Sequence, residues 1–271
     1  MPELPEVETI ARKLAPILTG REIRRVDLRW ARSLTIPTPT EFQQRLRGQT
    51  IEGITRRGKY LRLKLPKDEL MIHLRMSGDL FTRESSLIPE KHDRLIIGLN
   101  GDLSLIFNDT RKFGRIWLTD DPEQVLGKLG PEPLENDFTP QIFFARLHER
   151  HRQLKPLLLD QNFLAGMGNI YTDEALHIAN LHPCTLSDSL TEQQAAVLWQ
   201  AIRDVLQEGI RRNGASIDWV YRGGEFQNYF RVYGREGEAC PVCETKIKKM
   251  IVGQRGTHIC PVCQPDMEGS S

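Results

Sequence analysis

Apolar side chains recur every three or four positions in the first twenty residues, the spacing of one helix face. These apolar residues are Val7, Ile10, Ala11, Leu14 and Leu18. Pro5 favours the first turn of a helix and Gly20 favours its end. The pattern therefore predicts that the chain opens with a helix from Pro5 to Gly20.

Short apolar runs rich in β-branched and aromatic residues replace this pattern from Arg21 to about Asp120. Such runs, bounded by turn residues, are typical of strands. Asn100-Gly101 separates two of them, and both residues tolerate positive φ, so the pair indicates a hairpin turn. The first part of the chain is therefore predicted to be an antiparallel β-sandwich or barrel.

Helical periodicity returns after Gly130-Pro-Glu-Pro133, a segment that interrupts every pattern. Helices are predicted from Thr139 to Arg152, from Lys155 to Asn162 and from Ile170 onward, the last after the tight turn 164–169. A longer helix follows the capping box Thr191-x-x-Gln194 and ends at Asn213-Gly214. The predicted order is a domain at 1–134, a helical domain at 135–230, a finger at 231–265 and a tail at 266–271.

Four of the five cysteines form two Cys-x2-Cys pairs separated by sixteen residues. They are Cys240, Cys243, Cys260 and Cys263. This spacing is typical of a tetrahedral zinc site with four thiolates, which leaves no open position for water or substrate. Two disulfides or a redox pair are the alternatives, disfavoured in a cytosolic protein. We expect one structural Zn2+ and no cofactor in the chemistry, with the isolated Cys184 a small buried side chain.

Composition restricts the class of protein but names no partner. The chain has 271 residues, a formal net charge of +1, and no apolar run long enough to span a bilayer. Its first residues lack the basic and apolar segments of a secretory signal, so we expect a cytoplasmic protein without a membrane partner. Because the net charge is small, any binding of nucleic acid must depend on local clusters of Lys and Arg.

Pro2 is the first residue with reactive potential. If Met1 is removed, Pro2 exposes a secondary amine, and a free α-amino group has a pKa near 8. A nucleophile of that kind can attack a sugar C1′ atom and form an iminium ion. Glu3 and Glu6 place carboxylates nearby for proton transfer. The alternative is that Pro2 only follows a start codon and that the acidic residues complement the helix dipole.

Basic residues beside aromatic ones occur in three further segments, and each alone has a plain structural interpretation. Lys59 lies in the turn Arg56-Arg-Gly-Lys-Tyr60, which on its own reads as a solvated hairpin. The segment 108–114 places Arg111 next to Phe113, and an exposed apolar ring can insert into a base stack. Lysines and arginines also surround the cysteine pairs, so together these segments indicate a DNA-binding face.

Eight sequence segments, in order, resemble formamidopyrimidine-DNA glycosylases, and the resemblance covers nearly the whole chain. They are PELPEVET, RRGKYL, HLRMSG, NDTRKFGR, LGPEPL, LLDQNFLAGMGNIYTDEAL, VYGREGEACPVC and GQRGTHICPVCQ. The resemblance implies an α+β protein of two domains: an N-terminal β-sandwich with an N-terminal helix, then a helix-two-turn-helix module with a β-hairpin zinc finger. It also implies a glycosylase and AP lyase of base excision repair, acting as a monomer on damaged double-stranded DNA near the nucleoid.

The resemblance also implies roles for individual residues. Pro2 is expected to be the Schiff-base nucleophile, Glu3 the proton donor and Lys59 a second catalytic amine, while Glu6 lies near the lesion pocket. Met76, Arg111 and Phe113 resemble the trio that fills the gap left by an extruded base, with Arg111 facing the orphaned cytosine. Five further residues resemble phosphate contacts of the family: His73, Asn169, Tyr233, Lys249 and Arg255.

Two features bear on which substrate is preferred. Segment 215–230 is a few residues shorter than the family loop that covers the flipped base, which leaves the base preference open. Leu4 stands where the related endonuclease VIII branch, which prefers oxidised pyrimidines, has glycine, and this favours oxidised purines. Two other classes remain as alternatives: a non-catalytic DNA-binding zinc protein, which needs no free Pro2 amine, and a zinc-dependent hydrolase, which four thiolate ligands disfavour.

Overall fold

The computed structural model describes residues 1–216 and 223–266. The chain divides into two compact units, Met1–Lys128 with Ser216–Gly223 and Leu129–Ala215 with Gly224–Ser271. Residues 217–222, inside the segment 215–230, lie outside the described residues. Most of the predicted tail, 267–271, does so as well.

Helix α1, Leu4–Leu18, opens the first unit, as the apolar spacing predicts. Glu6 lies in its first turn, where its Oε2 accepts the backbone N–H of Glu3 at 2.7 Å and satisfies one of the donors exposed at a helix start. The apolar face of α1, including Leu14 and Leu18, is buried in the core of this unit. Helix α1 therefore fixes the position of Glu3, the residue directly before it.

Nine strands and two short α-helices follow among the described residues of the first unit. In chain order they are β1 (Ile23–Leu28), β2 (Leu34–Ile36), α2 (Pro39–Leu46), β3 (Gly53–Arg57), β4 (Tyr60–Lys64), β5 (Glu69–His73), β6 (Gly78–Glu84), β7 (Asp93–Leu99), β8 (Leu103–Asp109), β9 (Arg115–Thr119) and α3 (Glu123–Leu126). Sequence analysis did not predict α2, because its eight residues contain only two buried apolar positions, Phe42 and Leu46, too few to show a helical period.

The strands form two sheets whose buried side chains share one core with α1. The sheet orders are β1-β7-β8-β6 and β2-β9-β5-β4-β3. This confirms the predicted sandwich, with one difference: β2 pairs with β9 in parallel, whereas the other pairings are antiparallel. The parallel pair involves a strand of three residues, which pairs with a strand far along the chain rather than with a hairpin partner.

The predicted hairpin joins β7 to β8, but its left-handed residues differ from those expected. Gly101 and Asp102 have positive φ, at 74° and 53°, rather than Asn100 and Gly101. Asn100 instead bonds to the residue before β1, because its Oδ1 accepts the backbone N–H of Glu22 at 3.1 Å. The turn is thus one residue longer than a two-residue loop.

The second unit is helical and ends in a β-hairpin. Its elements are α4 (Pro140–His148), α5 (Leu154–Leu159), α6 (Asn169–Ile178), α7 (Glu192–Arg211), β10 (Lys248–Val252) and β11 (Arg255–Ile259). The capping box between Thr191 and Gln194 begins α7, as the sequence predicts. Among residues 1–216 and 223–266, no helix combines the length and apolar character needed to cross a membrane.

Candidate functional site

Pro2 and two nearby carboxylates are buried at the start of α1. Pro2 is buried, and Glu3 and Glu6 are 3% and 2% exposed. Met1, by contrast, is 42% exposed. The bond between Met1 and Pro2 therefore joins an exposed residue to a buried one, and its cleavage would expose the Pro2 amine directly before Glu3.

Lys59 occupies a tight turn of the first unit and is only 5% exposed. The turn joins β3 to β4, whose last register pair is Arg57 and Tyr60, and Gly58 supplies the positive φ of 55° that it requires. Arg56, just before the turn, forms an ion pair with Glu8 of α1 at 2.8 Å. This contact ties the lysine turn to the helix that follows Pro2.

His73 lies at the end of β5, opposite Tyr60 in the register. Burial, helped by the positive charges of Arg75 and Lys59, lowers the pKa of His73 to about 3. The His73 Nδ1 atom accepts the backbone N–H of Arg75 at 3.0 Å, so the neutral ring carries its proton on Nε2. At neutral pH, His73 can therefore offer a hydrogen bond to a phosphate but no positive charge.

Two loops of the first unit are joined by the buried carboxylate of Asp109, which is 1% exposed. Its Oδ1 accepts the hydroxyl of Ser77 at 2.5 Å and the backbone N–H of Arg111 at 3.2 Å. Its Oδ2 accepts the backbone N–H of Gly114 at 2.7 Å. Because Ser77 follows Met76, one carboxylate fixes both the Met76 loop and the Arg111 to Phe113 loop.

These two loops expose large apolar side chains. Met76 is 44% exposed and Phe113 is 45% exposed. The Arg111 guanidinium lies 4.8 Å from the centre of the Phe113 ring, and the Lys112 ammonium lies 3.9 Å from the Trp30 ring. Cation–π contacts of this kind restrict both basic side chains. The unit therefore presents an exposed thioether and an exposed aromatic ring on loops that a buried group holds in place.

Asn169 begins α6 in the second unit, and its side chain contacts the hairpin formed by β10 and β11. Its Nδ2 donates to the carbonyl of Gly256 at 3.0 Å, and the buried Lys155 Nζ donates to the same carbonyl at 3.1 Å. Lys155 also forms a fully buried ion pair with Asp173, at 2.5 Å. Arg255 precedes Gly256, so the bond from Asn169 to Gly256 holds the start of α6 close to the Arg255 backbone.

Tyr233, Lys249 and Arg255 gather around the same hairpin. The Tyr233 ring contacts the edge of His258, with centres 5.2 Å apart, and Lys249 is the register partner of His258. Lys249 and Arg255 are both exposed. The structure thus groups four predicted phosphate contacts, the fourth being Asn169, in the second unit.

Glu174 of α6 positions the segment that enters the finger. Its carboxylate accepts three successive backbone N–H groups, from Arg231 at 2.8 Å, Val232 at 3.0 Å and Tyr233 at 2.8 Å. Burial raises the pKa of Glu174, although the three N–H groups act in the opposite direction. This single side chain therefore holds the backbone of Tyr233.

The four predicted cysteines meet at one point, with their Sγ atoms all within 4.8 Å of one another. Three of the S–S distances are 3.8, 3.4 and 3.6 Å. Thiolates bound at about 2.3 Å in a tetrahedron lie about 3.8 Å apart, so the cluster fits zinc. Burial and neighbouring thiols raise the pKa values of Cys260 and Cys263, and a bound cation removes this penalty. The chain holds one structural zinc ion.

Asp109 and Glu174 are the site residues that sequence analysis missed. A signal was available for each of them. Asp109 stands two residues before Arg111, a position from which Asp often bonds the following backbone. Glu174 is an acidic residue in a helix that also carries the apolar residues Ile170 and Leu176, where a buried charge calls for specific partners.

Three family models match the chain in order. They are the formamidopyrimidine-DNA glycosylase N-terminal domain at residues 1–116, the formamidopyrimidine-DNA glycosylase H2TH domain at 129–220, and a zinc finger found in FPG and IleRS at 237–265. The first two models fall on the β-sandwich unit and on the helical part of the second unit. The third covers all four cysteines.

Whole-chain comparisons agree with these matches. The formamidopyrimidine-DNA glycosylase of Chloroflexus aurantiacus is 47% identical over 278 residues, which covers 99% of each chain. That of Pelotomaculum thermopropionicum is 44% identical and covers 97% of this chain and 99% of the relative. Lactococcus lactis Fpg, solved in complex with DNA containing N7-benzyl-Fapy-dG, superposes with a TM-score of 0.92 at 39% identity, covering 98% of this chain and 100% of that one.

The fold and the metal centre assign this chain to a class of α+β proteins that combine a β-sandwich, an H2TH module and a zinc finger. The identity and coverage of its relatives then specify the family. The chain belongs to the formamidopyrimidine-DNA glycosylase family.

Proposed function

We propose that this chain is a DNA glycosylase and AP lyase that removes oxidised purines, chiefly 8-oxoguanine and formamidopyrimidines, from duplex DNA. The buried position of Pro2 beside Glu3 and Glu6 carries the proposal. The relatives named above support the substrate class. One Lactococcus lactis Fpg structure holds DNA with a Fapy-dG lesion, and another holds DNA with an abasic site.

The proposed reaction begins with the Pro2 amine. Its lone pair attacks C1′ of the damaged nucleotide, the C1′–N bond breaks, and the base leaves with a proton. The C1′–O4′ bond then breaks, O4′ takes a proton from Glu3, the proposed donor, and the nitrogen lone pair forms an iminium ion, which acidifies the C2′ proton. Loss of that proton breaks the C3′–O bond, and a second elimination breaks the C5′–O bond. Water then hydrolyses the C1′–N bond to Pro2, which releases the unsaturated sugar fragment and the free amine and leaves a one-nucleotide gap with a phosphate at each end.

Three other residues are assigned to proton transfer and recognition. Glu3 is the proposed proton donor and shuttle, because it directly follows Pro2 and its carboxylate is buried. Lys59 is the proposed second amine, engaging a phosphate or the damaged base. Glu6 is proposed to lie near the lesion pocket. Its carboxylate accepts the backbone N–H of Glu3, and this bond fixes the position of the Glu6 side chain relative to the Glu3 backbone.

The remaining residues are assigned to DNA. A base is accessible to attack only outside the duplex, so the gap that it leaves must be filled. The exposed side chains of Met76, Arg111 and Phe113 are proposed to fill it. His73, Asn169, Tyr233, Lys249 and Arg255 are proposed phosphate contacts. We assign catalysis to residues 1–134 and DNA binding to 135–230 and 231–265, in a monomer that acts in the cytoplasm and nucleoid.

Borohydride trapping tests the nucleophile directly. Reduction during reaction with an 8-oxoguanine duplex should yield a covalent adduct at Pro2, and Pro2→Gly should greatly reduce it. A matched control adds one glycine ahead of Pro2, which blocks the secondary amine but keeps every side chain. That form should bind DNA and yield no adduct at Pro2. An adduct at another residue in the native protein, with full activity in the extended form, would remove Pro2 from this role.

Duplexes of defined sequence test the substrate class. The protein should cut 8-oxoguanine opposite cytosine faster than an oxidised pyrimidine, and gel mobility should show phosphates on both sides of the gap. Leu4 is fully buried, and it occupies the position where the pyrimidine-preferring branch has glycine. A preference for oxidised pyrimidines would overturn the substrate assignment and leave the lyase chemistry intact.

A further inference from the structure

One buried histidine of the second unit contacts a zinc ligand. His177, on α6, is 1% exposed, and its Nε2 lies 3.4 Å from the Sγ of Cys240. On the other side of the ring, Nδ1 lies 3.2 Å from the Nε of Arg231. The imidazole therefore stands between a thiolate of the metal centre and a guanidinium.

The chemistry of the two neighbours fixes the proton on this ring. A guanidinium nitrogen carries hydrogen and can only donate, so His177 Nδ1 must offer a lone pair to Arg231. A neutral imidazole that accepts at Nδ1 carries its proton on Nε2. That proton points to Cys240, whose sulfur accepts hydrogen bonds when it is a thiolate. Reversing the tautomer would set two hydrogens against each other at Arg231.

The surrounding contacts hold all three groups in place. Glu174, one turn before His177 on α6, binds the backbone N–H of Arg231. Cys240 is 1% exposed and also accepts the backbone N–H of Val242, at 3.5 Å. The ring thus adds a side-chain donor to a sulfur that already has a backbone donor.

We propose that His177 is a positioning residue of the zinc centre, which donates its Nε2–H to the Cys240 thiolate and is oriented by Arg231. A hydrogen bond to a zinc-bound thiolate withdraws charge from the sulfur and lowers its affinity for protons and electrophiles. The thiolate then stays on the metal longer. The same bond ties α6, the helix that begins at Asn169, to the finger.

Cobalt substitution provides a readout that a merely structural role leaves unchanged. In the full-length protein loaded with Co2+, His177→Phe should move the sulfur-to-cobalt charge-transfer band to lower energy, because the sulfur lone pair loses a stabilising proton. Zinc release to a chelator should become about 10-fold faster, the lower end of typical outer-shell effects. His182→Phe is the matched control, since the buried His182 ring accepts the backbone N–H of Cys184 and should leave both measurements unchanged.

A conservative variant and the native protein complete the test. His177→Gln can donate to sulfur and accept from Arg231 through one amide, so it should restore most of the cobalt band position. In the native zinc form, nitrogen NMR of the histidines should show His177 protonated on Nε2 only. Cadmium-113 substitution should show coupling from the metal to that proton. A proton on Nδ1, or a cobalt spectrum of His177→Phe identical to the native one, would overturn the proposal.

Discussion

Asp109 in the sandwich unit and Glu174 in the helical unit hold backbone segments in the same way but over different distances along the chain. Asp109 binds N–H groups two and five residues away, within its own loop. Glu174 binds N–H groups 57 to 59 residues away, on a segment that leads to the finger. Both carboxylates are 1% exposed.

The difference indicates what each region depends on. The Arg111 to Phe113 loop is closed by a local carboxylate and stands on the large apolar core of the sandwich. The finger has a small core of its own, Val232, Ile247 and the ligand cysteines Cys240 and Cys260, and it depends on zinc and on bonds to α6. Because a small domain buries little apolar surface, long-range polar contacts and the metal matter more there.

Loss of one zinc ligand should have the largest effect and separate the two regions. Cys243→Ser should unfold the finger and weaken DNA binding, because zinc supplies about 10–16 kcal/mol of folding free energy in zinc-finger peptides. The sandwich unit should remain folded. Metal content, circular dichroism and hydrogen exchange measure these effects, and Cys184→Ser is the control that should keep the zinc. A folded, zinc-loaded and tightly binding Cys243→Ser would contradict the assignment.

Removing the two carboxylates in turn tests the comparison itself. Glu174→Ala leaves three backbone donors without an acceptor and should lower the free energy of unfolding of the second unit by roughly 3 kcal/mol, at about 1 kcal/mol or more for each. Asp109→Ala should destabilise the first unit less, since the Arg111 N–H keeps the Ser77 hydroxyl as a second acceptor, yet it should slow excision strongly. Denaturant unfolding and single-turnover excision measure the two effects. If both variants lost the same free energy of unfolding and the same excision rate, the two carboxylates would not differ in the way proposed here.

Acid should weaken the sandwich unit through His73. The folded pKa of about 3 lies below the unfolded value, so between about pH 6.5 and 3 the unfolded chain binds a proton that the folded protein excludes. The free energy of unfolding should therefore decrease as the pH is lowered from about 6.5 to 3, by up to about 1.4 kcal/mol per pH unit from this group. His73→Asn, which keeps an acceptor for the Arg75 N–H, should flatten the dependence. Hydrogen exchange of β5 amides measures it, and parallel curves for both proteins would exclude His73 as the cause.

The smallest expected effects come from two single side chains that we assign to DNA contacts. Phe113→Ala should slow excision in duplex DNA more than it weakens binding to an abasic product, because the ring compensates for lost stacking. Lys249→Ala should weaken lesion and undamaged DNA equally and reduce the salt slope by about one unit. Lys248→Ala is its control, because side chains alternate along β10 and Lys248 points to the other face. A uniform loss of affinity for Phe113→Ala, with unchanged excision, would make its loop only part of the binding surface.

Periodicity and motif spacing in the sequence alone predict many of the secondary-structure elements of this protein and its metal centre. The apolar spacing of α1, the short apolar runs of the strands and the capping box of α7 are local patterns, and the structure confirms the elements that they predict. The four cysteines identified the metal centre because thiolate spacing reflects coordination geometry. The family motifs indicated the candidate residues. Those proposed for catalysis and for filling the gap lie in the first unit, and four of the five proposed phosphate contacts lie in the second.

Tertiary structure alone decided how those residues are held. The parallel pairing of β2 with β9, the three N–H groups on Glu174 and the ring of His177 between Arg231 and Cys240 all join segments far apart in sequence. A contact between distant segments depends on how the chain packs, and it produces no period or spacing in the sequence. The sequence therefore determined which chemical groups are present, and packing decided which of them touch.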